Sequence, residues 1–409
     1  MLHRGTDFTL FRFLARPLAA ASASVRAVNV SPVLAAQATY PFVRIEQAKC
    51  AAAAKGVEIF DFGPGDPREP TDPLIRQALV DALAETRGYP KAEGLPELRA
   101  AIAGWLDRRF GASVDPDTEI VPTYGSKEAI FSFAQVVVDP VRGKDLVLVT
   151  EPGYPVPERG ALFAGARVVH LPLREESGFL PDLDAIDEET LARTAILWLN
   201  YPNNPTATVA PLALFERAAE LAAEHDFLLA SDEAYTELWF NEPPPSALQV
   251  GDRSNVVVFN TLSKRSSMTG YRSGFVAGPR WVAEALRAYR PTVGTAPQEF
   301  VQRASVTAWD DEAHVARARE VYGRKRDVLL GALAALGWRV AGSEATMYLW
   351  VEAPAGEGSE ELADSLLRHG IVVAPGAYLG PNGEGYVRIA LVPTIEDCER
   401  AAAILRGLA

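Results

Sequence analysis

The chain has 409 residues, beyond the size at which a single hydrophobic core keeps growing, so two structural units are expected. A formal charge of −13, with no run of Lys and Arg, argues against a phosphodiester backbone as partner. No apolar stretch reaches the roughly 18–20 residues of a membrane helix, and Cys50 and Cys398 stand far apart without zinc-ligand or disulfide spacing. No metal site is expected, and the chain is expected in a reducing cytoplasm.

Residues 1–30 scatter Arg4, Arg12, Arg16 and Arg26 among Phe, Leu, Ala and Ser, with Asp7 as the one acid. That pattern suits a targeting leader or an over-extended translation start. Arg12 and Arg16 interrupt what a secretory apolar core would need, so the second reading is preferred. The segment is kept out of the fold argument.

From about residue 74, amphipathic helices alternate with short runs rich in Val, Ile and Leu, which predicts α/β units around a mainly parallel sheet. Tyr124-Gly125-Ser126-Lys127-Glu128-Ala129 opens a helix whose Ile130, Phe133, Ala134, Val137 and Val138 share one face. Free N–H groups at its start form an anion site, and Gly125 permits close approach; a capped helix without ligand is the plainer reading. Strands are predicted at 146–149, 168–171 and 196–199. After the third comes Asn200-Tyr201-Pro202-Asn203-Asn204-Pro205-Thr206, a polar turn that its prolines bar from helix. There Asn204 can donate to a phenolate oxygen.

A second helix begins at Leu212, aligning Phe215, Ala219 and Ala222, and leads to a strand at 227–230. Ser231-Asp232-Glu233-Ala234-Tyr235 follows. An acid leaving a buried strand is protonated unless a cation or several donors hold it charged, and a pyridinium nitrogen is such a cation. A helix N-cap is the ordinary alternative. The strand at 256–259 runs into Thr261-Leu262-Ser263-Lys264-Arg265-Ser266-Ser267-Met268-Thr269-Gly270-Tyr271-Arg272. A lysine just past a strand end can form an imine with an aldehyde if its pKa is held down, and Ser263 with Arg272 suits a phosphate dianion. Taken alone, a Ser-Lys pair reads as a surface loop. A strand at 275–277, a Pro- and Gly-bearing break at 291–297, a long charged helical segment through Arg324 and a smaller α/β tail to Ala409 complete the chain.

Each motif is weak by itself. Their order and spacing resemble the fold-type-I pyridoxal-phosphate enzymes of the class I/II aminotransferase family, from about Pro32 to the end. That resemblance implies a large cofactor-binding domain at 71–295 with a mixed, mostly parallel sheet flanked by helices, a smaller α/β domain at 296–409, and an N-terminal segment at 31–70 packed on the latter. It implies pyridoxal 5′-phosphate bound through Lys264 as a Schiff base. Asp232 then pairs with the ring nitrogen, and Asn204 and Tyr235 with the phenolic oxygen. Gly125, Ser126, Lys127, Ser263 and Arg272 attend the phosphate, and Tyr154, in Glu151-Pro152-Gly153-Tyr154-Pro155, stacks on the ring.

The same resemblance makes Arg388 the grip on a substrate α-carboxylate, puts Gly65 of Phe62-Gly63-Pro64-Gly65-Asp66-Pro67 over the substrate, and lends Tyr89 across a homodimer to the neighbouring site. Where the family's turn after Asn-Pro-Thr usually continues with Gly, this chain has Ala207; backbone strain, not the Asn204 side chain, should register the change. Within the family, the run 263–275 and the opening from Pro32-Val33-Leu34 to Tyr40-Pro41-Phe42 look like the succinyldiaminopimelate aminotransferases of bacterial lysine biosynthesis. The implied reaction moves an amino group between glutamate and N-succinyl-2-amino-6-oxopimelate. Another aminotransferase specificity, or a β-lyase outcome, stands as the alternative. A dinucleotide enzyme is disfavoured because no Gly-x-Gly-x-x-Gly follows the first strand.

Overall fold

The computed structural model describes residues 30–37, 41–86 and 88–408, and the segment read as a leader or an over-extended start, residues 1–30, lies outside them except for Val30. A short strand β1 (Phe60–Asp61) precedes the larger sheet, whose strands are β2 (Ile120–Thr123), β3 (Leu146–Glu151), β4 (Arg167–Pro172), β5 (Thr194–Asn200), β6 (Leu228–Asp232), β7 (Val256–Thr261) and β8 (Gly274–Ala277). They lie in the order β2-β8-β7-β6-β5-β3-β4. Strands β4, β3, β5, β6 and β7 are parallel neighbours, and β8 runs antiparallel to both β7 and β2. This is the mixed, mostly parallel sheet expected.

The pleat explains why the central strands read as unbroken apolar runs, because both faces are covered. In β5, Leu197 and Leu199 pack into one core with Trp105, Phe215 and Trp309, while Ile196 and Trp198 enter another with Phe133 and Phe259. The helix Ser126–Val137 buries Ile130, Phe133 and Ala134 on the second face, and the helix Leu212–Glu224 buries Phe215, Ala219 and Ala222 on the first. Trp105 and Trp309 meet at a centroid distance of 4.6 Å and Trp309 and Phe275 at 5.3 Å, each such pair contributing roughly 0.5–1.5 kcal/mol beyond its buried area.

The second unit holds β9 (Val340–Gly342), β10 (Tyr348–Glu352), β11 (Ile371–Val372), β12 (Ala374–Pro375) and β13 (Tyr386–Ala390). Four of them form an antiparallel sheet in the order β12-β13-β10-β9. β1 pairs in parallel with β11, Phe60 opposite Ile371, and Ile45, Ala48 and Ala52 pack with Leu367 and Val372. The N-terminal segment thus lies on the C-terminal unit.

Three sequence expectations shift. The long charged helical segment is two helices, Glu299–Asp310 and Ala313–Ala335, and Asp311 Oδ2 accepts from His314 N at 2.9 Å where the second begins. The core also changes later than residue 296. Ala304, Ala308 and Trp309 pack with Trp105 in the first core, and only with Tyr322 and Leu329 does the chain enter the second. The aromatic surface of Trp309 draws its helix to the larger unit. The expected break at 291–297 is also shorter, since the helix Arg280–Val293 runs through Pro291 and stops at Gly294, φ +74°. Among the described residues, no helix is long and apolar enough to cross a membrane.

Candidate active site

Parallel β5, β6 and β7 bring their C-terminal ends to one edge, the place where α/β sheets open onto ligands. Asn200 ends β5 opposite Asp232, which ends β6 opposite Phe259 of β7. Asn200 Nδ2 donates to the Asp232 carbonyl at 2.9 Å, and its Oδ1 accepts from Asn204 N at 3.0 Å. The turn beyond is built by Asn203, whose Oδ1 accepts from Thr206 N at 3.0 Å and Thr206 Oγ1 at 2.8 Å. Ala207 then sits at φ +59°, fully buried, so the expected backbone strain is present.

These ends open on a cavity of about 310 Å³. Lys264 enters it from the one-turn helix Leu262–Arg265, begun where Thr261 Oγ1 accepts from Ser263 N at 3.1 Å. Its Nζ donates to the Gly65 carbonyl. Burial pulls its pKa down to about 8; Asp66 opposes this, and Arg388, Arg272 and Lys127 add to it. Asp232 is pushed up to about 7 by burial, against a hydrogen bond from Ala234 N and the attraction of Lys264. Burial biases both groups toward their neutral forms.

At one end of the cavity Ser126 and Lys127 open their helix beside Ser263 and Arg272. Arg272 is anchored by its own backbone surroundings: Nη1 donates to Thr269 O at 2.9 Å and Nη2 to Tyr124 O at 3.2 Å. Gly125 has φ +74° and ψ 162°, and a Cβ there would lie 2.3 Å from Arg272 Nη2. At the other end Arg388, 1 % exposed on β13, donates from Nη1 to Asn204 Oδ1 at 2.8 Å and from Nη2 to Gly63 O at 2.7 Å. Tyr235 and Tyr348 join their hydroxyls at 2.8 Å. Gly65 is pressed close, since a Cβ there would lie 1.9 Å from Tyr348 Oη.

The structure therefore brings Gly65, Ser126, Lys127, Tyr154, Asn204, Asp232, Tyr235, Ser263, Lys264, Arg272 and Arg388 to one cavity. Gly125 stands behind Arg272 instead of lining it. Tyr89 is fully exposed and outside the cavity of its own chain. Asp66, Asn200, Thr261, Thr269 and Tyr348 also line it without having been singled out. The first four lie inside or beside the motif runs, whereas Tyr348, in Thr346-Met347-Tyr348, carries no pattern that sequence reasoning could use.

Residues 57–405 match the family described as aminotransferase class I and II. The chain belongs to that family. It is a pyridoxal-phosphate-dependent aminotransferase. Among its curated relatives, LL-diaminopimelate aminotransferase 2 of Nostoc sp. is 40 % identical over 90 % of this chain and 95 % of its own length. LL-diaminopimelate aminotransferase of Nitratidesulfovibrio vulgaris is 38 % identical over 93 % and 98 %. Among solved structures, an aminotransferase from Neisseria meningitidis superimposes with a TM-score of 0.84 at 36 % identity, covering 92 % of this chain and 99 % of that one. A probable N-succinyldiaminopimelate aminotransferase from Thermus thermophilus gives 0.83 at 33 %, covering 90 % and 100 %. The subgroup resemblance thus widens, because the curated relatives bear the name LL-diaminopimelate aminotransferase, a related but different enzyme.

The cavity fits the cofactor. Its cationic and hydroxyl-bearing end suits a phosphate dianion, a buried carboxyl suits a pyridinium, and an amine of lowered pKa suits an aldehyde.

Proposed function

We propose that this aminotransferase moves an amino group between glutamate/2-oxoglutarate and a diaminopimelate-class substrate of lysine biosynthesis. The observation that carries the amino-transfer site is the shared cavity of Lys264 and Asp232 on adjoining strand ends, with Arg388 buried at its far side. The substrate class is supported by relatives of 38–40 % identity that span nine-tenths of the chain.

Bound pyridoxal phosphate supplies an electron sink for the carbanion left when an α-C–H bond ionises. The chain supplies the rest. Ser126, Lys127, Ser263 and Arg272 would hold the phosphate, with Gly125 letting Arg272 approach. Asp232 would pair with the ring nitrogen and hold its proton. Asn204 and Tyr235 would donate to the phenolic oxygen, and Tyr154 would cover the ring. Arg388 receives the α-carboxylate in its planar fork, already oriented by Asn204 and Gly63. Lys264 Nζ would carry the cofactor and is placed to take the substrate's α-proton and return it; a pKa of about 8 lets a useful fraction of the amine be neutral. Gly65 lies over the substrate side, and Tyr89 serves the neighbouring site of a cytoplasmic homodimer.

A second reading takes N-succinyl-2-amino-6-oxopimelate as acceptor. The run 263–275 and the Thermus thermophilus structure favour it. Incubating holoenzyme and 2-oxoglutarate with LL-diaminopimelate, and separately with its N-succinyl derivative, separates the two by the glutamate formed. Glutamate from the free diamine supports the first reading, and glutamate from the succinylated compound alone replaces it with the second. In a separate incubation with a β-substituted amino acid such as β-chloroalanine, pyruvate release, with no glutamate formed from either diaminopimelate, would point to a β-lyase.

A further inference from the structure

Tyr348 sits where the substrate grip and the cofactor's phenolic oxygen meet, and no role has been given to it. Its side chain is 2 % exposed, its hydroxyl is 2.8 Å from that of Tyr235, and the Arg388 guanidinium lies 4.3 Å over its ring. The two rings cross edge to face with centroids 5.5 Å apart. Gly65 allows this arrangement, because any side chain there would occupy the position of the Tyr348 hydroxyl.

Hydrogen-bond direction follows from what Tyr235 does. If Tyr235 donates its one proton to a phenolate oxygen, its own oxygen has only lone pairs to offer, so Tyr348 must be the donor of the pair. A phenol that accepts a hydrogen bond becomes a better donor itself. The Arg388 cation over the Tyr348 ring draws electron density from it and so strengthens the first link of that chain. Other groups around the pair are fixed in place: Asp232 and Lys264 at the strand ends, Asp66 on the N-terminal segment, and Tyr322 and Lys325 on the helix Ala313–Ala335, where Lys325 pairs with Glu69.

We propose that Tyr348 is a positioning residue that, through its hydrogen bond to Tyr235, orients and strengthens the donor acting on the cofactor's phenolic oxygen. The inference rests on the cofactor placement given above for Tyr235. A stronger donor stabilises negative charge on that oxygen, and so weakens the hold of the oxygen and the neighbouring nitrogen on the proton they share.

The test is a pH titration of the visible absorbance of the holoenzyme, comparing the unsubstituted protein with Tyr348→Phe and Tyr235→Phe. Loss of the Tyr348 hydroxyl should raise the apparent pKa of the absorbance change by about 0.5–1 unit, the size of one net hydrogen bond. Tyr235→Phe should raise it further, and the double variant should match Tyr235→Phe alone. Tyr348→Phe keeps a ring under Arg388, so the KM for the amino donor should stay within about twofold while the absorbance pKa moves; support of Arg388 by that ring is read separately, as a KM change in Tyr348→Leu. An unmoved absorbance pKa in Tyr348→Phe, with Tyr235→Phe shifted, overturns the proposal and leaves the cofactor placement standing. If Tyr235→Phe is also unmoved, the placement of Tyr235 fails with it. Should Tyr348→Phe fold poorly, Tyr348→His offers a ring N–H in the same place, and a shift smaller than that of Tyr235→Phe is then required.

Discussion

Asp232 and Lys264 face one cavity from adjoining strand ends and are displaced toward neutrality from opposite directions, the carboxyl up to about 7 and the amine down to about 8. Burial is the leading cause for both. A pyridinium beside Asp232 and a covalent bond at Lys264 would each relieve what burial imposes.

The burial of Asp232 has a pH signature in the cofactor-free protein. Between about pH 4 and 7 Asp232 is ionised in the unfolded chain and protonated in the folded one, so the folded state binds more protons and stability falls as pH rises through this window. The fall contributed by Asp232 should be roughly 2–4 kcal/mol. Denaturant melts of the cofactor-free protein at several pH values check it: Asp232→Asn should remove that part of the slope. Glu233, also pushed up to about 7 by burial, keeps its own part in both proteins. Equal slopes for the two would refute the assignment.

Gly125→Ala should loosen the cofactor more than it harms the fold. The backbone there, φ +74° and ψ 162°, is one that only glycine adopts readily, and the new methyl would meet Arg272 Nη2. A cost of about 1–3 kcal/mol is expected, read as a rise of about tenfold or more in the dissociation constant of pyridoxal phosphate, measured by absorbance titration.

Arg388→Lys keeps the charge and loses the fork. A lysine cannot reach Asn204 Oδ1 and Gly63 O while offering two parallel donors to a carboxylate. The KM for the amino donor should rise about tenfold to hundredfold, the loss of a charge-assisted hydrogen bond. A KM unchanged within twofold would remove Arg388 from carboxylate recognition.

Lys264→Ala should lower amino transfer by at least about 10²–10⁴-fold, the ordinary contribution of a positioned acid–base group. Added small primary amines should restore part of the lost rate if Nζ carries the proton. Stopped-flow measurement of each half-reaction provides the check.

Much of this was legible in the sequence. The apolar runs before Asn200, Asp232 and Thr261 announced buried parallel strands, and a polar residue after such a run must lie at the sheet's opening edge, which is why the motif residues converge. Ala207 was legible as well, since a residue other than glycine at a left-handed turn position shows in φ. Tyr348 was not, because its importance comes from β10 lying beside β13 and from contacts with Tyr235 and Gly65, all distant in sequence. Nor was the split at Asp311 readable, because the charged helical pattern on both sides has the same period while the two helices join different cores. Tyr89, fully exposed in its own chain, gains a function only if a second subunit meets it.

The central claim is that Lys264 carries the cofactor, and one measurement bears on it without any assay of turnover. Holoenzyme reduced with borohydride, digested and analysed by mass spectrometry should show the pyridoxyl phosphate mass on the peptide containing Lys264 and on no other lysine. The adduct on Lys127 or elsewhere, or full reduction with Lys264 unmodified, would contradict the account.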